Sequence, residues 1–286
     1  MSFIRVLRTF ELCFHYDSLS SCAGRQSVFM ELTKWQINDW RPKSFKYDWS
    51  TRENFSSASG LSLMVELFSK SELYSDFTSC LPLRLSNNSY HTSHFALLLI
   101  AGFWMGYDCL EDLGEFTKNP VVCAQFGKVP VPRSFGDYLR DFTDENILAL
   151  RKFLLKQALF FRGALKKSDS ITFDIDSTDH EHHGDTIEGL EINYKGKWCL
   201  DSLEVFDELG FCYDFLLRPG ATFSSDGAEE MLKNILTHRP LDPLKGFDYS
   251  RMDSAFCTEE IIRLSLLKKL KNHHHRPWPY RLGRGS

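Results

Sequence analysis

The stretch T-F-D-I-D-S-T-D-H-E-H-H-G, residues 172–184, decides the fold. Apolar residues alternate with polar ones across its start, at Ile171, Phe173 and Ile175. This period of two predicts a strand with one apolar and one acidic face. Asp174 and Asp176 share the acidic face, about 7 Å apart along the strand. Unpaired carboxylates are costly in a core, so such a pair is typical of a cation site or a wet strand end.

After Asp176 the chain is expected to leave the strand through Ser177 into a polar, His-rich segment. The segment contains His180, His182 and His183, which allow two interpretations: a zinc site or a polar loop beside the acids. The spacing H-E-H-H differs from the zinc-binding pattern H-E-x-x-H, and no Cys accompanies it at finger spacing. The pattern therefore favours the loop.

Further strands and helices are predicted downstream. Strands are predicted over residues 200–209, 211–217 and 249–252, and helices over 226–237 and from 259 onwards. R-P-G at 218–220 ends the second of these strands, because Pro cannot continue a ladder and Gly permits a turn. Asp253 follows the last strand as Asp176 follows the first. The order β(acid)-β-β-α-β(acid)-α predicts a mixed α/β fold, the opening of an RNase H-like core.

Eight segments carry a resemblance to a known family. Those in the predicted sheet region are F-D-I-D-S-T at 173–178, an H-x-x-H-G-like segment at 180–184, L-R-P-G at 217–220, S-S-D-G-A-E-E-M-L at 224–232 and R-M-D-S-A-F at 251–256. Those upstream lie at 57–67, 106–113 and 131–142, in the order expected of the same group. From about residue 44 to about residue 270 the chain resembles the DDE transposases of bacterial insertion sequences.

The resemblance implies a chemistry and a set of partners. It assigns Asp176 and Asp253 as catalytic, metal-binding carboxylates, with Asp174 as the second choice of ligand to Asp176. The cofactor would be a pair of Mg²⁺ or Mn²⁺ ions, which suit carboxylate ligands and serve DNA strand cleavage and transfer. The implied partner is the terminal inverted repeats of the element, and a homodimer is left open. The implied location is the bacterial cytoplasm, at the nucleoid.

Four residues are expected to contact DNA. Ser134 and Arg140 lie on a short predicted helix after a proline turn, where a packing helix is an equally good interpretation. Arg218 either clamps a phosphate, since Arg gives bidentate contacts, or pairs with a nearby acid. His183 belongs to the predicted polar loop beside the active site.

The chain is predicted to contain four parts: an N-terminal arm over 1–43, a helical DNA-end-binding domain over 44–170, a partial RNase H-like core over 171–270 and an aberrant tail over 271–286. In the first part and just after it, aromatic and basic residues from Trp35 to Trp49 either dock the arm on the domain or contact nucleic acid. The apolar run over 94–107 is too short to span a bilayer and predicts a buried helix.

Composition by itself does not predict a nucleic-acid-binding protein. The net charge is −4, and the excess of acidic residues lies in 171–286. The chain contains eight Cys without a C-x-x-C pair. This pattern argues against a zinc ribbon and favours reduced thiols in a cytosolic protein.

The family's third acid is a Glu on a later helix, whereas this sequence ends 33 residues after Asp253. Glu259 and Glu260 follow Asp253 too closely to replace it. The first interpretation is a truncated, inactive transposase whose sheet lacks its final strand. The second is a DNA-binding regulator of the intact enzyme. The third is an unrelated metal-dependent hydrolase built on Asp174, Asp176 and the His cluster.

Overall fold

The computed structural model describes residues 40–45, 58–84, 90–165, 170–183, 187–239, 248–267 and 270–273. Most of the predicted N-terminal arm and of the tail lies outside these ranges. The chain divides into two compact units between Phe153 and Leu154. This boundary falls earlier than the predicted one at residue 170.

The first unit is helical, as its apolar periodicity predicts. Its helices are α1 (Ser59–Lys70), α2 (Leu73–Ser79), α3 (Thr92–Trp104), α4 (Pro120–Phe126) and α5 (Pro132–Arg140), with a 3₁₀ helix at Glu111–Lys118 and the start of α6 (Asp144–Leu165). Within the described ranges, no helix has both the length and the apolar character needed to cross a membrane.

The core of the first unit surrounds α3, in which every residue from Thr92 to Phe103 is buried. This burial agrees with the apolar run read from the sequence. The Phe95 ring stacks on Tyr138 at 4.8 Å between centroids and meets Phe135 edge-on at 5.3 Å. Because Phe135 and Tyr138 both lie on α5, these contacts fix the inner face of that helix.

The second unit contains the end of α6 and a sheet with two helices. Its elements are β1 (Thr172–Glu181), β2 (Glu191–Ile192), β3 (Trp198–Asp207), β4 (Cys212–Pro219), α7 (Ala228–His238), β5 (Tyr249–Met252), a 3₁₀ turn (Ser254–Phe256), α8 (Glu259–Leu267) and β6 (Lys271–His273). The strand order is β4-β3-β1-β5-β6, and β2 also pairs with β3. β3 is antiparallel to β1 and β4, while β5 is parallel to β1 and β6. This is the predicted mixed α/β, RNase H-like arrangement.

Two sequence expectations about strands are wrong. β1 does not end at Ser177, because every residue from Phe173 to Glu181 has a partner on β3. The last strand of the sheet is not missing either, since Lys271–His273 pairs in parallel with β5. The first three residues of the predicted aberrant tail therefore belong to the sheet.

A buried ionic cluster attaches the end of α6 to the sheet. The Arg162 Nη1 atom lies 3.3 Å from Asp207 Oδ2, and its Nη2 atom donates to the Ser170 carbonyl at 3.0 Å and to Glu208. Asp207 also accepts the backbone N–H of Phe211 at 2.9 Å. Burial raises the pKa of the Asp207 carboxyl above its ordinary value. These contacts explain why the last turns of α6 belong to the second unit.

Gly220 is predicted to tolerate no side chain. A Cβ atom at this position would lie 2.0 Å from the Cys199 carbonyl oxygen, which belongs to the ladder of β3. We expect Gly220→Ala to lower the free energy of unfolding by about 1–3 kcal/mol, the usual cost of overpacking. In the control, Gly163→Ala on α6, the new Cβ meets no atom within 4 Å, so we expect a gain of about 0.5–1 kcal/mol. Urea unfolding measures both, and equal stability of Gly220→Ala and wild type would contradict the prediction.

A pH-dependent loss of stability is predicted at His94, which is 5% exposed and stacks on Trp40 at 4.5 Å. Burial lowers the pKa of His94 to about 4, with a smaller effect of His91. The unfolded chain titrates near 6.5, so it binds more protons below that pH. Stability is therefore full above about pH 6.5 and falls by about 2 kcal/mol at pH 5. Comparison of denaturant unfolding at both pH values should show a smaller difference for His94→Phe; an unchanged difference would contradict this.

Candidate active site

The register between β1 and β5 places two acidic residues side by side. Ile175 lies opposite Met252 in the parallel ladder; Asp176 is the next residue on β1, and Asp253 is the first residue after β5. Neighbouring strands lie about 4.8 Å apart, and opposed residues point to the same face. The sheet therefore brings together the positions of the two residues that the resemblance singled out.

Each of these two carboxylates is held by one backbone N–H. Asp176 Oδ1 accepts from the Ser177 N–H at 2.8 Å. Asp253 Oδ1 accepts from the Ala255 N–H at 2.7 Å and so begins the 3₁₀ turn after β5. Both residues are exposed, and within the described part of the chain neither has a cationic partner.

The two other acids toward the end of β1 do have such partners. The Lys195 amine lies 2.8 Å from Asp179 Oδ2, and the Lys197 amine pairs with Glu181. The hydrogen bond to Asp179 raises the pKa of Lys195 above its ordinary value. Asp176 thus differs from the acids that follow it on the same strand.

Asp174, the second choice of ligand, is also paired. Arg251 lies opposite it on β5, and its guanidinium donates to both carboxylate oxygens, from Nε to Oδ1 at 2.5 Å. The hydrogen bond and the charge of Asp174 raise the pKa of Arg251. Since both oxygens have a partner, Asp174 is less suited than Asp176 to bind a metal ion.

Arg218 pairs with an acidic residue, which is the second of the two roles predicted for it. Its side chain is 5% exposed, and its Nε atom donates to Asp201 Oδ1 at 2.6 Å. Its Nη1 atom donates to the backbone carbonyls of Ser224, at 3.2 Å, and Asp226. Burial raises the pKa of Asp201, and the charge of Arg218 opposes this rise. Its guanidinium is enclosed by groups of the protein, which favours the role of pairing with an acid over the predicted contact with DNA.

The predicted DNA-contact helix is α5. Its inner residues Phe135 and Tyr138 are fully buried, as a packing helix requires. Ser134 is half-buried, whereas Arg140 is 77% exposed and pairs with Asp137 at 2.9 Å. Exposed pairs of this kind are weak, so Arg140 remains accessible to a phosphate. One face of the helix therefore packs against the core, and the opposite face presents a basic residue that is accessible to DNA.

The His-rich segment is partly a strand. His180 lies within β1, and its Nε2 atom is 2.6 Å from the buried Ser202 hydroxyl on β3. Ser202 donates to Glu204 Oε1 at 2.7 Å. His183 follows the end of β1 and is exposed. Glu204 lies opposite Asp176 in the ladder. The sequence does not predict that these two acids are neighbours, because the register between β1 and β3 cannot be read from either strand alone.

The side chains at the candidate site are of the type that binds a divalent cation, but there are too few of them. Carboxylate oxygens are the ligands that Mg²⁺ and Mn²⁺ prefer, and Asp176 and Asp253 offer two carboxylates. Within the described ranges, no group of three or more His, Cys, Asp and Glu side chains is arranged to hold a metal ion.

The order and directions of the strands define an RNase H-like sheet. The family described as Transposase DDE domain group 1 matches residues 50–271. This is more than half of the chain, so the chain belongs to the DDE transposase family, and the predicted membership of that family is confirmed. The family implies transposition and DNA strand cleavage or transfer. No curated protein matches the sequence.

Two solved structures share a low level of similarity. One is the "Mos1 transposase paired-end complex with left transposon end", 12% identical over 78% of this chain and 69% of that chain, with a TM-score of 0.25. The other is the "Mos1 Strand Transfer Complex", 12% identical over 77% of this chain and 67% of that chain, with a TM-score of 0.24. Scores this low carry no argument about this chain.

The unequal pairing of Asp174 and Asp176 leads to a prediction about metal affinity. Asp176→Asn should weaken Mn²⁺ binding by about tenfold or more, equivalent to about 1.4 kcal/mol, because it removes a charge that has no cationic partner. Asp174→Asn, the matched control two residues earlier on the same face, should change the affinity much less. Titration of free Mn²⁺ by electron paramagnetic resonance measures both. An equal loss in the two variants would show that Asp174 binds the ion as well.

Proposed function

We propose that this chain is a transposase of a bacterial insertion sequence and that Asp176 and Asp253 are its metal-binding, catalytic carboxylates. The observation that supports this most directly is the parallel register of β1 and β5, which puts the two residues at adjacent positions. A pair of Mg²⁺ or Mn²⁺ ions at this place would supply an activated water or 3′-hydroxyl and stabilise the leaving oxygen.

The chain's own groups prepare the two carboxylates for this role. The N–H groups of Ser177 and Ala255 each fix one carboxylate oxygen. The partners of the neighbouring acids, such as Arg251 on Asp174, reduce repulsion between the strand and a DNA phosphate. The exposed acids Asp176 and Asp253 are thereby the negative charges that a divalent ion has to neutralise.

The proposed DNA contacts are Ser134, Arg140 and His183. Arg140 is the best supported of them, because its guanidinium is largely exposed at the end of α5. The proposed partner is the terminal inverted repeats of the element, bound by a monomer or a homodimer in the bacterial cytoplasm. Phosphate contacts of this kind make affinity fall as the salt concentration rises.

A second candidate function is a regulator that binds the element's ends without cutting them. It is favoured by one observation: the described residues contain no group of three or more side chains suited to a metal ion. Two ions of charge +2 at close range need more oxygen ligands than Asp176 and Asp253 offer. This second candidate therefore proposes that the site formed by the described residues is catalytically incomplete.

Two assays on one DNA separate these functions. The substrate is a supercoiled plasmid carrying the sequences that flank the coding region, and the comparison plasmid carries unrelated sequence of equal length. We expect the purified chain to retain the flanking fragments in a mobility-shift assay in preference to unrelated ones. We expect no nicking with Mg²⁺ or Mn²⁺, because each missing 1.36 kcal/mol of barrier lowering costs about tenfold in rate.

Metal-dependent nicks that disappear in Asp176→Ala and Asp253→Ala would show that the chain is catalytically complete and would refute the regulator. Nicks that persist in both variants would come from a contaminating nuclease and refute the proposed site as their source. Equal binding to flanking and unrelated DNA would contradict recognition of the element's ends.

A further inference from the structure

The sheet face that carries Asp176 continues well beyond β5. The last paired residue of β1 with β5 is Ile175, whereas its pairing with β3 extends to Glu181. β1 and β3 therefore form a two-stranded ribbon beyond the acid pair. Because side chains alternate between faces, Thr178 and His180 lie on the same face of this ribbon as Asp176.

An exposed aromatic residue lies at the far end of this face. Trp198 is six residues from Glu204 on β3, and Glu204 is opposite Asp176. An even number of residues keeps Trp198 on the Asp176 face, about 20 Å away. Trp198 is 53% exposed, and its cross-strand partner Ile192 is 51% exposed. We call the surface formed by Thr178, His180, Trp198 and Ile192 the ribbon face.

The turn beside Trp198 is rigidly held. Asn193 is buried, and its side-chain oxygen accepts the N–H groups of Lys195 and Lys197, each at 3.0 Å. Its Nδ2 atom donates to Asp179 at 3.0 Å. These bonds fix the hairpin between β2 and β3, so the indole of Trp198 stands on an ordered scaffold. A ring presented in this way loses little conformational entropy when it binds a partner.

The two acids of β1 beyond Asp176 repel a polyanion less than free carboxylates would. Asp179 and Glu181 lie on the opposite face of the strand, and each is paired with a lysine. Between Asp176 and Trp198 the β1 side of this face carries the polar residues Thr178 and His180, while Leu200 and Ser202 on β3 are buried, so the exposed part is not an extended apolar patch. A second copy of the chain would need a larger apolar area than Trp198 and Ile192 provide.

We propose that the ribbon face holds the DNA strand that leads to Asp176 and that Trp198 stacks on one of its bases. The spacing agrees with this, since about 20 Å corresponds to about six steps of 3.4 Å along one DNA strand. Stacking on an exposed indole tolerates any base sequence. This inference rests on the proposed function, because it requires that Asp176 marks the reacting phosphate.

The test compares variants of the full chain on one fluorescent duplex taken from the flanking sequence and ending in a single-stranded extension, whose unpaired bases can stack on an indole. Replacing an aromatic residue that stacks on a base with alanine weakens DNA binding by about 5- to 100-fold, and we expect a loss of this size for Trp198→Ala. Trp198→Phe, which keeps an aromatic ring, should recover most of the affinity. The matched control is Phe160→Ala, which removes another exposed aromatic ring of the same unit, on α6. We expect the control to bind like wild type, and thermal melting checks that all variants are folded.

A second measurement uses the wild-type chain alone. The duplex is substituted with 5-bromodeoxyuridine at successive positions, irradiated and digested, and the cross-linked peptide is identified by mass spectrometry. We expect one position to cross-link to Trp198.

Wild-type affinity in Trp198→Ala, or cross-links confined to peptides that lack Trp198, would overturn the inference and leave the proposed function intact. Failure of the wild-type chain to bind either flanking or unrelated DNA would overturn the proposed function and the inference together. Weakening in Trp198→Ala with an unchanged control and a cross-link at Trp198 supports both.

Discussion

The central position of β1 is the constraint on which the second unit depends. This strand pairs with β3 along nearly its whole length and with β5 at its start, so ladders on both sides hold it within the sheet. Its face with Phe173 and Ile175 is buried, yet the strand also carries four carboxylates. Like charges at neighbouring positions repel, and unpaired charges are costly where water is scarce. The sheet therefore needs cations placed at specific positions beside β1.

Those cations come from neighbouring elements: Arg251 on β5 for Asp174, and Lys195 and Lys197 of the β2–β3 hairpin for the acids near the end of β1. The ion pairs are partly exposed, so each contributes little to stability by itself. Their effect on the distribution of charge is larger. They leave Asp176, within the described part of β1, as the carboxylate without a cationic partner, and this is the position next to Asp253.

A fully buried ion pair fixes the other side of β3. Asp201 and Arg218 are opposite each other on β3 and β4, and Arg218 also holds the carbonyls of Ser224 and Asp226 before α7. Removal of one partner from such a pair commonly costs about 3–5 kcal/mol, because it leaves a buried charge. The L-R-P-G segment, which helped to identify the family, thus has a structural explanation in this chain.

Sequence patterns predicted the elements whose signal is local. Alternation located the start of β1, and the bounds of β5, Tyr249–Met252, were predicted as observed. The continuation of β1 past Ser177 was not predicted. Both faces of the strand are polar there, and only pairing with β3 keeps it extended. Likewise, α7 begins after Gly227, with φ of 82°, and not at residue 226 as the sequence predicts. Cross-strand contacts such as Asp174 with Arg251 depend on register, which neither strand contains alone.

The same register makes Asp253, and not Glu204, the better suited partner of Asp176 in the proposed site. Glu204 lies opposite Asp176 on β3, where opposed Cβ atoms are about 4.5–5.5 Å apart, and Asp253 directly follows β5. The Glu204 carboxylate accepts the hydrogen bond of Ser202, and that hydroxyl is in contact with His180. Because Ser202 gives its single hydrogen to Glu204, His180 must donate its Nε2 hydrogen to the serine oxygen. A metal ion bound to that Glu204 oxygen would compete with the hydrogen bonds that link His180, Ser202 and Glu204. A metal ion at Asp176 and Asp253 would compete with only one backbone N–H on each carboxylate.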